Sequence, residues 1–150
     1  MKSQFDSERG NNTNLKLKSM NDDFAPFELA VKLKEKGFDK ECLCHYVGED
    51  LVYNIESPIA NNQLWFSHNK FDNIWHRDNY DAPTISQVLK WLREEKKIYL
   101  EIVIVVDAEY MCDIYKISPR PIECLGSTEY FLTYEKAAIA GINYVLDNLI

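Results

Sequence analysis

The nine-residue run Ile98-Tyr-Leu-Glu-Ile-Val-Ile-Val-Val106 sets the tightest limit on how this chain folds. Side chains alternate across a strand, so one face of the run consists wholly of Ile98, Leu100, Ile102, Ile104 and Val106. β-Branched residues dominate and Glu101 is its only charge, which marks a central strand packed under helices. A partner strand follows at once, from Tyr110 to Ile117. A three-residue loop, Asp107-Ala108-Glu109, places Cys112 beside Ile104 and Ile114 beside Ile102 on the apolar face. A two-residue loop would instead set Asp113 against Ile102, so the longer loop is expected.

Upstream, the pattern Cys42-Leu-Cys-His-Tyr-Val47, Gly48-Glu49, Asp50-Leu-Val-Tyr-Asn-Ile-Glu56 is that of a hairpin with glycine first in a type II′ turn. Its register pairs Val47 with Asp50, Tyr46 with Leu51, Cys44 with Tyr53 and Cys42 with Ile55, with His45 facing Val52 on the other side. A further hairpin is expected at Gln63–Ser67 and Phe71–His76. Three helices frame these strands. The first spans about 24–36, with Asp23 as N-cap, Pro26 in the first turn and Gly37 as the stop. The second starts at Thr84, which forms a capping box with Gln87, and runs to near Lys96 with Ile85, Val88, Leu89 and Leu92 on one face; Trp91 lies off that stripe and laps its edge. The third follows Thr133 and turns Ala138, Ile142, Val145 or Leu146, and Leu149 inward. Gly141 in its middle costs about 1 kcal/mol relative to alanine, which implies close packing on a neighbouring element.

The order of elements predicts an α+β fold: a mainly antiparallel sheet built from β-hairpins, with about three helices packed mostly on one face. Residues 1–22 are polar and aperiodic, a flexible tail in which only Leu15 and Leu17 hint at docking, and 23–150 form a single domain. A chain of 150 residues, 46% of them apolar and 13% aromatic, has the material for a core without metals or crosslinks. Four cysteines are too few for a disulfide framework, so free thiols are expected, with Cys42, Cys44 and Cys112 buried and Cys124 exposed in a loop. The start of the chain lacks the apolar run of a signal peptide and no stretch has the length of a membrane helix. The expected place is therefore the cytoplasm, with no membrane contact.

A formal charge of −7 is concentrated late in the chain, where residues 101–150 carry eight acids against Lys116, Arg120 and Lys136. Such a field repels phosphate backbones, and the one basic stripe, Lys32, Lys34, Lys36 and Lys40, is interrupted by Glu35 and Asp39. Generic nucleic-acid binding is not expected.

Chemistry-bearing clusters are sparse. Cys42 and Cys44 project to one side of a strand, but His45 points to the other and no second CxC or CxxC completes a ligand shell, so the thiols read as structural and no metal is assigned. His76-Arg77-Asp78 matches the start of a kinase catalytic loop without its downstream Asn, its glycine-rich loop or its Asp-Phe-Gly. No phosphate-cradling or dinucleotide motif occurs among five glycines, so no cofactor and no catalytic residue is assigned. The segment 63–81 stands out for aromatics interleaved with Asn, Asp and His. Trp65, His68, Trp75, His76, Asp78 and Tyr80 are its candidate binding residues, because aromatic rings beside polar side chains anchor protein partners or stack on ligands. The resulting expectation is a non-catalytic protein-interaction module that uses its sheet or this segment. The alternative is a small enzyme or ligand-binding protein in which His68, His76 and nearby carboxylates act as acid and base.

Three stretches carry a family likeness: Glu28-Leu-Ala-Val-Lys-Leu-Lys-Glu-Lys-Gly-Phe-Asp39, Ala82–Glu95 leading into Ile98–Ile102, and Thr133-Tyr-Glu-Lys-Ala-Ala-Ile-Ala-Gly-Ile142. In these the chain resembles an uncharacterised family of short proteins from gut bacteria and their phages or prophages. The resemblance covers about half the chain, lies in helix and strand scaffold, and implies a mobile-element origin without bringing an activity or a site.

Overall fold

The computed structural model describes residues 21–53, 79–118 and 122–150. Helix α1 spans Phe27–Glu35. It starts three residues later than the sequence suggested, and Asp23 does not cap it. Residues 23–25 run extended beside 83–85 instead: Ile85 N–H donates to the Asp23 carbonyl and Ala25 N–H to the Pro83 carbonyl, both at 2.8 Å. A residue preceding proline is also kept out of helical geometry, so Ala25 cannot join the helix and Pro26 becomes its N-cap. The other end is as expected. Gly37 takes φ +85°, and the Phe38 and Gly37 amides close back on the Leu33 and Lys34 carbonyls in a Schellman arrangement.

Strands β1 (Cys44–Val47) and β2 (Asp50–Tyr53) pair in the predicted register, from Cys44 with Tyr53 to Val47 with Asp50. Gly48 alone of the two turn residues has positive φ, as type II′ geometry requires. Strand β3 (Asn79–Ala82) pairs antiparallel with the other side of β1, which no sequence signal indicated. Ile55 and the expected hairpin at 63–76 lie outside the described residues. Helix α2 (Ile85–Trp91) begins with the full Thr84/Gln87 capping box and continues through a π turn at Leu92–Lys96 to a left-handed Lys97.

Strand β4 (Ile98–Ile104) pairs with β5 (Tyr110–Lys116), and β5 with β6 (Glu123–Ser127). The β4–β5 loop is longer than the sequence suggested. Cys112 sits opposite Ile102 and Ile114 opposite Leu100, two residues from the expected pairing, because 105–109 form a five-residue connection with a 3-10 turn. A shift of two preserves the faces, so both side chains still enter the core. Helix α3 (Tyr134–Asn148) is capped by Thr133, whose hydroxyl accepts from Lys136 N–H at 3.3 Å.

The chain is therefore α+β, with the six strands among the described residues in two three-stranded antiparallel sheets, ordered β2-β1-β3 and β4-β5-β6, where the element order had implied one. Helix α3 lies over β4 and β5, α1 and α2 meet α3, and the smaller sheet leans on α1. Helix α1 thus has two buried faces. Leu29 and Leu33 enter the main cluster with Val88, Trp91, Leu100, Ile114 and Ile142, while Ala30 joins Phe24, Cys44, Tyr46 and Ala82. Trp91 is a further correction: it is 1% exposed, stacked edge-on against Phe38 at 5.4 Å with the Lys96 ammonium 4.9 Å above its ring. The loop after α1 covers α2 on the side that a single-stripe reading leaves to solvent.

Candidate functional site

Of the six residues singled out in the sequence, the structure places one. Trp65, His68, Trp75, His76 and Asp78 lie outside the described residues. Tyr80 sits on β3 opposite Tyr46, half-buried, with its ring edge-on to Phe27 at 5.5 Å and the Lys34 ammonium 5.0 Å above it. Its surroundings are those of a packing residue at the margin of the smaller core, not of an exposed ligand platform.

The thiols behave as their strand positions demand. Cys42, Cys44 and Cys112 are fully buried and Cys124 is exposed, though on β6 and not in a loop. Burial pushes the Cys42 thiol up to about 12, aided by the nearby Asp81 and Cys44, and lifts Cys44 to about 11. Burial, then Asp113, raises Cys112 to about 12. Thiols held protonated in this way are poor nucleophiles and poor ligands at neutral pH. Among the described residues no three His, Cys, Asp or Glu side chains converge on a point that would hold a metal ion.

Two clefts lined by described residues open on the surface. One, of about 300 Å³, lies between the loop after α1 and the end of α2; its walls are Lys40, Gln87, Lys90, Trp91, Glu94 and Glu95. Lys40 closes it by pairing with Glu95 at 2.5 Å and Asp39 at 3.1 Å, contacts that hold its ammonium above the ordinary lysine range. The other, of about 480 Å³, runs from Phe24 and Tyr46 to Thr133 and Ile139. The Tyr46 hydroxyl in its wall already donates to the Ala25 carbonyl at 2.8 Å. Neither brings together a nucleophile, a base and an oxyanion donor.

The surface feature that sequence reasoning missed is apolar. Ile104 and Val106, expected on the core face of a central strand, are 69% and 79% exposed. Helix α3 begins only at Tyr134, whose ring meets Tyr110 edge-on at 6.4 Å, so its cover stops level with the Ile104–Tyr110 pair. Phe131 extends the row on the other side by exchanging both backbone hydrogen bonds with Tyr110 at 2.7 Å. Next to it stand Tyr130 and Leu132, the latter 75% exposed. Ile104, Tyr110 and Phe131 are thus paired in turn across one end of the larger sheet, Tyr134 meets Tyr110, and exposed Leu132 follows Phe131 in the chain. The signal was present in the sequence as hydrophobic residues that outran the strand, at Ile104-Val-Val106 and Tyr130-Phe-Leu132.

No family model matches the chain, and comparison with curated proteins and with solved structures gives no match either. No helix among the described residues is long and apolar enough to cross a membrane.

Proposed function

We propose that this protein is a non-catalytic interaction module, of mobile-element origin, that binds another protein through the end of its larger sheet. The observation that carries this reading is the set of exposed apolar side chains at this end of the sheet, Ile104, Val106, Tyr130, Leu132 and Tyr134. Exposed apolar surface with an aromatic component costs free energy in water and is typical of protein–protein contacts. Its setting supports a protein partner: the surrounding residues 101–150 are acidic, which disfavours a phosphate backbone as ligand. The test is site-specific photocrosslinking in cells with a photoreactive phenylalanine at Leu132, and with the same residue at exposed Ser86 on α2 as comparison. A discrete protein adduct at 132 and none at 86 is the expected result; equal or no adducts at both positions would remove the row as the contact surface.

A further inference from the structure

The larger sheet has two unlike edges. On β6 the ladder is broken by a bulge opposite Ile114 and Tyr115, Gly126 follows, and the Tyr144 hydroxyl donates to the Leu125 carbonyl at 3.5 Å. These are features that keep an edge from recruiting another strand. The β4 edge has none of them. It is seven residues long, contains no proline, lysine, glycine or bulge, and has Glu101 as its only charge.

The direction of its free hydrogen-bonding groups follows from two contacts at its ends. Ile117 N–H donates to the Lys97 carbonyl at 2.7 Å and Val105 N–H to the Glu109 carbonyl at 2.8 Å. Odd-numbered positions of β4 therefore bond to β5, and the alternation of an antiparallel ladder turns the N–H and C=O of Ile98, Leu100, Ile102 and Ile104 outward. Among the described residues no strand pairs with that side.

We infer that β4 pairs antiparallel with β4 of a second copy of this chain, about a two-fold axis at Ile102, to form one continuous sheet across the dimer. The inference goes beyond the reading of the sheet end as an interaction surface: it assigns a separate contact, along the β4 edge, to a second copy of the chain. Register decides the occupant. Centring the axis on Glu101 would set that carboxylate against its own copy at the closest cross-strand spacing, which is unfavourable. Centring it on Ile102 pairs Ile102 with its copy, Leu100 with Ile104 and Glu101 with Val103, and every outward N–H and C=O from Leu100 to Ile104 finds its counterpart. The edge is thus complementary to itself in backbone pattern and in apolar faces, as an isologous contact requires. It also places Ile104 beside Leu100 of the other copy and removes it from water.

Sedimentation velocity of the full chain, from micromolar to millimolar concentration at about 0.15 M salt, where exposed charges are screened beyond roughly 8 Å, reads the association. A concentration-dependent dimer is expected. Ile104→Lys, at an exposed position, should weaken it by about tenfold or more, since an edge lysine blocks strand addition. Leu132→Lys, on the β6 side, should leave it unchanged. In a Cys124→Ser background, Ile102→Cys should give a disulfide-linked dimer on mild oxidation, because directly opposed residues of a hydrogen-bonded pair have a Cα separation of about 5.5 Å. A strict monomer, a dimer indifferent to Ile104→Lys, or one lost equally with Leu132→Lys would overturn the inference. Urea midpoints of the variants separate loss of pairing from loss of folding. A monomer that still forms the Leu132 adduct would retain the interaction reading while rejecting self-pairing; an adduct from position 104 to a different protein would assign the edge to that partner instead.

Discussion

The two sheets are built from similar hairpins but are held in unlike ways. Strands β4 and β5 have seven residues each and lie directly under α3, where Gly141 is in contact with Cys112 and Leu100. Strands β1, β2 and β3 have four each and rest on α1 through Ala30 and Phe27, with Tyr46 tying β1 to the Ala25 carbonyl. A helix over the middle of a long strand pair buries large aliphatic side chains from several elements at once. A short three-stranded sheet leaning on one helix buries little, and its cohesion depends on a few contacts. The larger sheet should therefore open only in global unfolding, and the smaller one by local fluctuation.

The largest effect should come from Trp91, where α2 meets Phe38 of the loop after α1. Trp91→Ala removes a fully buried aromatic and should cost about 3–5 kcal/mol in urea denaturation, with all probes shifted together. A cost near that of a surface change would show that the main cluster is not held at this point.

Gly141→Ala sharpens the same comparison. A Cβ there would collide with Cys112 Sγ and stand 3.0 Å from Leu100 Cδ2, so close packing should outweigh the roughly 1 kcal/mol gain in helix propensity and destabilise by about 1–3 kcal/mol. Cys112→Ala in the same chain should recover part of that loss, as a double-mutant cycle would measure. A Gly141→Ala variant as stable as the parent would mean that α3 and β5 move apart without cost.

The thiols give a pH test that spans both sheets. Cys42 and Cys112 are held up at about 12 from an ordinary value of 9.0, so above pH 9 the unfolded chain releases protons that the folded chain keeps. Their stabilising effect is therefore complete below pH 9 and declines as pH rises towards 12, by on the order of 1 kcal/mol per thiol at pH 10. Urea midpoints at pH 8 and 10 should diverge less for Cys112→Ala than for the parent chain. An identical divergence would place the alkaline sensitivity elsewhere.

The smallest effect belongs to the smaller sheet. Tyr46→Phe leaves the buried Ala25 carbonyl without its donor and should cost about 1 kcal/mol. Hydrogen exchange should then quicken at β1–β3 while β4 and β5 amides keep their protection. Uniform acceleration across both sheets would refute the division into a tight and a loose half.

Local chemistry was legible wherever neighbours in sequence decide the outcome. Gly48 fixed the β1–β2 turn and so the register, Thr84 with Gln87 and Thr133 started two helices, and Gly37 ended a third. The alternation of Ile98, Leu100 and Ile102 named the core face of β4, and the lone glycine in α3 announced a close contact. The candidate site was less legible. The aromatic-rich segment drew attention by composition, whereas the exposed row depends on where α3 starts relative to the sheet end, which no local pattern encodes.

What the sequence determined alone is thus the β1–β2 and β4–β5 hairpins, the three helices, the Thr84 and Thr133 caps and most of the apolar faces, because these follow from φ/ψ preferences and side-chain periodicity within a few residues. Tertiary structure decided the rest. It recruited Asn79–Ala82 and Glu123–Ser127 as strands, extended 23–25 beside 83–85 so that Asp23 is no cap, divided the strands into two sheets, and buried Trp91 under Phe38. It also left Ile104 and Val106 in water. Each of these outcomes turns on hydrogen bonds or packing between residues far apart in the chain, whose free energy exists only once the partner surface has formed.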